Sequence, residues 1–367
     1  MFKKSVSFLL LGFMLLTSIP FSVAFAQSEE EYISSVPIVE FSTSRSITLT
    51  DYSSARIISV KKSIAKSANI SLLRALVDED RIVFFEGMVA KDVIQLTGIE
   101  GICPTDASSE YTTIGTCLTY SNGAIHYIDL FANDVNKESI ELSLEEKEYC
   151  IREVYKEEKV FGFNKGGLSS EPSDDIHTHN IYLYSGSTRI GRMSATAYLK
   201  NYGKLNVNGK KRSVYDVAVS YRLIPNGNRR AKEMGLCIGC NSNVSHSYSI
   251  DETKIKYDNY TNSVTFGLGY SQTGLNIGLT REWSYGIDAF NCINDFSDPT
   301  SIKWTVTPIN ADKNDSWRME PAVRFVTDLS HAEVWVGFKG TLTGTWFLDP
   351  SRVGTFLLHY YVPLNGK

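Results

Sequence analysis

Residues 262 to 290 read NSVTFGLGYSQTGLNIGLTREWSYGIDAF, and the period of this stretch decides the class of fold. In its first arm Val264, Phe266, Leu268 and Tyr270 share one parity, against Thr265, Gly267, Gly269 and Ser271 on the other. Beyond Gln272, Thr273 and Gly274, a second arm sets Leu275, Ile277, Leu279, Trp283, Tyr285 and Ile287 against Asn276, Gly278, Thr280, Glu282, Ser284 and Gly286. Side chains of a strand alternate between its two faces, so a period of two with a turn between predicts an amphipathic β-hairpin. Only Arg281 interrupts the apolar row. Such a hairpin either caps a soluble β core or turns its apolar face to lipid.

The same period recurs on both sides. Tyr215, Val217, Val219, Tyr221 and Leu223 alternate with polar or small residues until Pro225-Asn226-Gly227-Asn228 supplies a turn. Val244, His246 and Tyr248 alternate again, as do Ile302, Trp304 and Val306, and then Val334, Val336, Phe338 and Leu342 with Gly340 interleaved. Short alternating runs separated by turn residues predict an antiparallel all-β sandwich or barrel.

The first half reads differently. Apolar residues at spacings of three or four from Ile57 to Leu76 suggest a helix weakened around Ser67 to Ser71, and Ile82-Val83-Phe84-Phe85 has the pattern of a buried strand. Ala90 to Leu96 reads as a short helix stopped by Gly98. Two runs around Ser121-Asn122-Gly123 predict a hairpin, and Ser143 followed by Glu146 predicts a capping box opening a helix from Leu144 to Val160. The expectation is a mixed fold: a small α+β domain (27 to 163), a linker rich in Gly, Ser and Pro (164 to 175), and an antiparallel β domain (176 to 367). Charge divides likewise, with a net of −9 from Gln27 to Lys165 and +3 from Gly166 onward. The faint positive balance of the second half is too weak for a nucleic-acid partner, which calls for a strongly basic patch.

Lys3 and Lys4, the apolar run from Phe8 to Val23, and Ala24-Phe25-Ala26 make a secretory signal with expected cleavage after Ala26. A secreted, extracellular product meets an oxidising compartment, so its six cysteines are expected to form disulfides. Cys103 and Cys117 could close a short polar segment, and Cys240 or Cys237 could reach Cys292 to tether the hairpin. Cys150 has no obvious local partner. Cys237-Ile238-Gly239-Cys240 also has redox or metal spacing, without the second motif or βαβ context such a role needs.

Few residues suggest chemistry. In Asp174-Asp175-Ile176-His177-Thr178-His179, an extended backbone would put His177 and His179 on one face, as two imidazoles must be to share a Zn²⁺. A third ligand could come from Asp175, His246 or Glu171. A solvated linker end explains the same residues without a metal, and no other cofactor is suggested. There is no G-x-S-x-G elbow and no phosphate-binding G-x-x-x-x-G-K-[ST], so enzymatic activity has no motif behind it. A metal-dependent hydrolase stands third among the functional readings.

Aromatic supply says more. All five tryptophans fall in the second half, where Trp283, Trp304 and Trp346 share parity with aliphatic neighbours and read as core. Trp335 has the opposite parity to Val334 and Val336, which marks it for an exposed contact, with Trp317 beside Arg318 next. The leading expectation is therefore a secreted, non-enzymatic protein that binds a cell-surface or extracellular macromolecule. The rival is a membrane-damaging protein, because residues 262 to 290 resemble the stems of β-pore-forming toxins in pattern. Phe266, Leu268, Tyr270, Leu275, Ile277, Leu279 and Trp283 would then meet lipid. Arg281 would join them there, at about 2–4 kcal/mol near the bilayer midplane.

Overall fold

The computed structural model describes residues 35–44, 47–99, 111–121, 124–134, 141–160, 175–207, 209–240, 244–249, 255–257, 290–295, 301–308, 313, 316–319, 322–327, 333–344 and 362–363. It is a mixed α+β structure dominated by strands, with two sheets packed face to face in the second half.

In the first half, β1 (Ile38–Glu40), β2 (Ile57–Val60) and β3 (Ile82–Glu86) pair in parallel. Helices α1 (Lys62–Ala65) and α2 (Ile70–Asp78) cross between β2 and β3, as parallel pairing requires. The continuous helical spacing from Ile57 is thus corrected. Ile57 to Val60 is a short run, apolar but for Ser59, which periodicity cannot tell from helix, and its parallel partner β3 fixes it as strand. The side chain of Asn69 accepts from the Leu72 amide at 3.2 Å and opens α2, which buries Leu72, Leu73, Leu76 and Val77. α3 (Ala90–Thr97) ends at Gly98, whose φ of 63° completes a left-handed C-cap. β4 (Thr112–Ser121) and β5 (Ala124–Asp134) form the expected antiparallel hairpin.

α4 (Leu144–Tyr155) starts where the Ser143 hydroxyl accepts from the Glu146 amide at 3.2 Å. The Glu146 carboxylate does not close the box; it takes Tyr184 Oη at 2.8 Å and Arg189 Nη1 at 2.7 Å. One π-helical turn, 156 to 160, follows α4 and brings Glu157 and Glu158 inward, both buried.

The expected linker lies outside the described residues except Asp175, which is the first residue of β6 (Asp175–Ser185). β6 pairs in parallel with β5 from His126↔Ile176 to Asp134↔Tyr184, so one sheet runs through the expected boundary. From there every pairing among the described residues is antiparallel. β7 (Thr188–Val207) and β8 (Lys210–Pro225) extend the large sheet. Its far end carries β14 (Trp317–Met319) and β15 (Ala322–Thr327) on β8, with β11 (Ile255–Tyr257) on β14 and β10 (Val244–Ser249) on β15. The second sheet has the order β12 (Phe290–Asp295), β13 (Ser301–Pro308), β9 (Arg230–Cys240), β16 (Glu333–Thr343), β17 (Val362–Pro363).

The core between these sheets packs Met193, Tyr221 and Leu223 against Leu236, Trp304, Phe338 and Leu342. The sheets approach closely at Gly340, where a Cβ would lie 2.7 Å from Leu223 Cδ1 and 2.8 Å from Met193 Sδ. Tyr221 Oη donates across the gap to the Lys339 carbonyl at 2.6 Å.

Candidate functional site

Two places collect groups able to do more than hold the fold: the outer face of the five-stranded sheet, and the parallel seam between β5 and β6.

On β16 the inward parity carries Val336, Phe338 and Leu342, which leaves Trp335, Lys339 and Thr341 on the outer face. Opposite them on β9 stand Gly239, Gly235 and Glu233. Trp335 lies flat across its partner: a Cβ on Gly239 would fall 2.2 Å from the indole, so the glycine is what lets the ring lie down. Lys339 covers Gly235 in the same way and pairs with Glu233. Lys303 and Thr307 on β13 extend the exposed surface. Trp335 is half-buried, in keeping with its expected outward parity. Trp317 is corrected: it is 1% exposed and belongs to the sandwich core, because β14 alternates with Trp317 and Met319 inward. Arg318 takes the opposite face, where its Nε donates to Ser220 Oγ at 2.9 Å.

At the seam, parallel pairing sets Asp129 of β5 opposite His179 of β6. Asp129, His177 and His179 share one face and are 1%, 0% and 1% exposed. His177 Nε2 is 3.2 Å from Asp129 Oδ2 and His179 Nδ1 is 3.8 Å from the same oxygen. The other oxygen, Oδ1, accepts from the Ala90 amide at 2.9 Å and from the Thr116 hydroxyl. Ala90 is the first residue of α3, and Val89 at its N-cap has no side-chain acceptor to offer. A carboxylate from another strand thus serves a helix N-terminus, where the aligned peptide dipoles favour negative charge. Phe131 stacks on His179 with ring centres 5.8 Å apart and planes 15° apart.

Burial alone would raise the Asp129 pKa, but the His177 hydrogen bond, electrostatic attraction to the two imidazoles and the Thr116 hydroxyl outweigh it and hold the carboxyl below its ordinary value. Burial, and then the neighbouring His177, push His179 down to about 3 against the pull of Asp129. His179 is therefore neutral at physiological pH. Of the third ligands expected from sequence, Glu171 lies outside the described residues, Asp175 opens β6, and His246 sits on β10 opposite Val326. The acid actually brought to the pair is Asp129, from a strand 48 residues earlier than His177.

The opposite face of the seam holds a second polar group that sequence reading missed. His126 Nδ1 is 3.2 Å from Glu158 Oε1, and its Nε2 meets Thr178 Oγ1 at 2.7 Å, which in turn meets Thr196 Oγ1 at 2.7 Å. Beside them Arg192 forks onto Glu157, with Nη1 at 3.2 Å from Oε2 and Nη2 on Oε1, and Arg222 Nη1 reaches Oε1 at 3.4 Å. The π-helical turn is what directs consecutive glutamates into this face.

The disulfide expectations are corrected. Cys117 is a free thiol with no exposure, in mid-β4, where its side chain enters the core that also holds Cys150. Burial raises both thiols well above the ordinary range. Cys103 lies outside the described residues. A tether from Cys237 or Cys240 to Cys292 is excluded by the strand order. β13 lies between β9 and β12, so the backbones stand about 9.5 Å apart, beyond the roughly 7 Å that a disulfide spans. The hairpin residues Phe266, Leu268, Tyr270, Leu275, Ile277, Leu279, Arg281 and Trp283 also lie outside the described residues.

No family model and no curated protein matches the chain. Among solved structures it is similar to a cohesin module from a Clostridium perfringens family 33 glycoside hydrolase, at 11% identity and a TM-score of 0.24 over 49% of this chain and 100% of that one. It is also similar to Clostridium perfringens delta-toxin, at 10% identity and a TM-score of 0.24 over 52% and 84%. A third is the collagen adhesin of S. aureus, at 9% identity and a TM-score of 0.22 over 51% and 77%. Superpositions this loose carry no argument about function.

Proposed function

We infer that this chain is an exported protein that binds an extracellular or cell-surface macromolecule through the outer face of the five-stranded sheet, without catalysing a reaction. The observation that carries the reading is Trp335, half-buried on the outer face and laid over Gly239, with Lys339 further along the same face of β16. A flat indole on a rigid sheet offers a large apolar contact at little entropic cost. The leader from Lys3 to Ala26 supports export.

The test is retention of the labelled full chain on a panel of immobilised glycans and matrix proteins and on intact cells. Trp335→Ala and Lys303→Glu are each expected to weaken binding about tenfold, the size of a central aromatic contact, with the urea midpoint little changed. Retention on no surface, or retention untouched by both substitutions, would sink the reading.

A second reading has its own observation. β11 and β12, which flank residues 258 to 289, are edge strands of different sheets among the described residues. The segment between them thus begins and ends at sheet edges and interrupts no central ladder of the described residues, which favours the membrane-damaging alternative. Among the described residues no helix is long and apolar enough to cross a membrane, and that bears on helices alone. Release of dye from anionic and zwitterionic liposomes separates the readings: leakage supports the second, and intact vesicles dispose of it.

A further inference from the structure

We propose that Asp129, His177 and His179 hold a divalent transition-metal ion of the zinc class, buried at the β5–β6 seam, which pins the two strands together. The ligand atoms, one from each residue, all lie within 4.8 Å of one another. Bonds of about 2.0–2.1 Å to a tetrahedral ion place its ligands roughly 3.3 Å apart. His177 Nε2 and Asp129 Oδ2, at 3.2 Å, already have that spacing, and His179 Nδ1 at 3.8 Å needs to close by roughly half an ångström.

The surroundings are those of a ligand set. Asp129 Oδ1 is occupied by the Ala90 amide and the Thr116 hydroxyl, which directs Oδ2 alone at the imidazoles. Outer partners of this kind fix ligand orientation and raise metal affinity. Phe131, stacked on His179 with ring centres 5.8 Å apart, fixes the plane of that ring. Two imidazoles and one carboxylate suit zinc and its neighbours in the transition series and are a poor set for calcium or magnesium, which prefer all-oxygen shells.

The role follows from burial. With all three ligands at 1% exposure or less, no substrate reaches the ion, so it acts on the fold. Metal bound only by the native seam stabilises the folded chain by mass action.

The full chain, with exposed thiols alkylated and then stripped with chelator, is given Co²⁺ or Zn²⁺ and dialysed. About one ion per chain is expected to remain by elemental analysis, with the visible bands of four-coordinate cobalt bleached by added zinc and a raised thermal midpoint. His177→Gln and His179→Gln keep side-chain volume and polarity. Each is expected to lower cobalt retention at least tenfold while circular dichroism keeps its strand signal, and His246→Gln is expected to change nothing. X-ray absorption at the zinc edge of the unsubstituted protein needs no variant: a nitrogen and oxygen shell with two imidazoles is expected. No retained metal, sulfur in the shell, or equal retention in both glutamine variants would overturn the proposal.

Discussion

Asp129→Ala is expected to destabilise the metal-free chain by about 3–5 kcal/mol, the usual cost of removing one partner from a buried ionic group. The substitution strips an acceptor from the Ala90 amide and from His177 at once, both closed to water, while the Thr116 hydroxyl keeps the Met88 carbonyl at 2.8 Å. A buried donor left without an acceptor pays its full desolvation cost, about 1–3 kcal/mol for each neutral group, so the losses reinforce one another. Asp129→Asn is expected to cost less. Its amide oxygen can still receive Ala90 and Thr116, and it forfeits mainly the charge that α3 and the imidazoles favour. The check is the urea midpoint at pH 7 with an unchanged m-value. An alanine variant within about 0.5 kcal/mol of the parent would mean that Asp129 is not the hub of the seam.

Glu157→Ala is expected to cost a similar 3–5 kcal/mol, because Arg192 is 5% exposed and cannot be neutralised. Arg222 reaches the same carboxylate, so two guanidiniums lose one acid. Glu153 Oε2, 3.6 Å from Arg192 Nη1, is the acid left to soften the loss. Replacing the pair together, Glu157→Leu with Arg192→Met, removes both desolvation costs and is expected to restore most of the stability. Breaking a buried ion pair is expensive, whereas exchanging it for apolar groups of similar volume is often neutral. A double variant as unstable as the single one would show that the fork contributes through Tyr182, whose ring centre lies 5.7 Å from the Arg192 guanidinium, and not through its charge balance.

The sequence made the strands of the second half legible because each carries its own period. Trp304 and Val306 point inward as their parity says, and Trp335 points outward. The same rule put His177 and His179 on one face. It could not supply Asp129, since parallel pairing joins residues 48 apart and leaves no trace in local spacing. Trp317 misled for a related reason: a strand of three residues is too short for a period, and the neighbouring Arg318 suggested a surface that only the arginine occupies. Cysteine spacing misled because it ignores direction. Cys117 sits in a strand that turns it into the core, and Cys292 is separated from β9 by an intervening strand. The π-helical turn at 156 to 160 continues the pattern of α4 in sequence, so nothing in local spacing marks Glu157 and Glu158 as buried.

The seam also sets a clock. The β4–β5 and β6–β7 hairpins join strands only two residues apart in sequence and can form within microseconds, whereas β5 and β6 meet only after the 40 residues from 135 to 174 have been looped between them. Contacts that wait on long loops form late, so the two halves of this chain should acquire their own strands first and their common sheet afterwards. Pulse-labelled hydrogen exchange during refolding would then find the amides of 176 to 184 that face β5 among the last to be protected, and early protection there would reverse the order. The time before the two halves join is the interval in which unfinished strand edges are open to a neighbour.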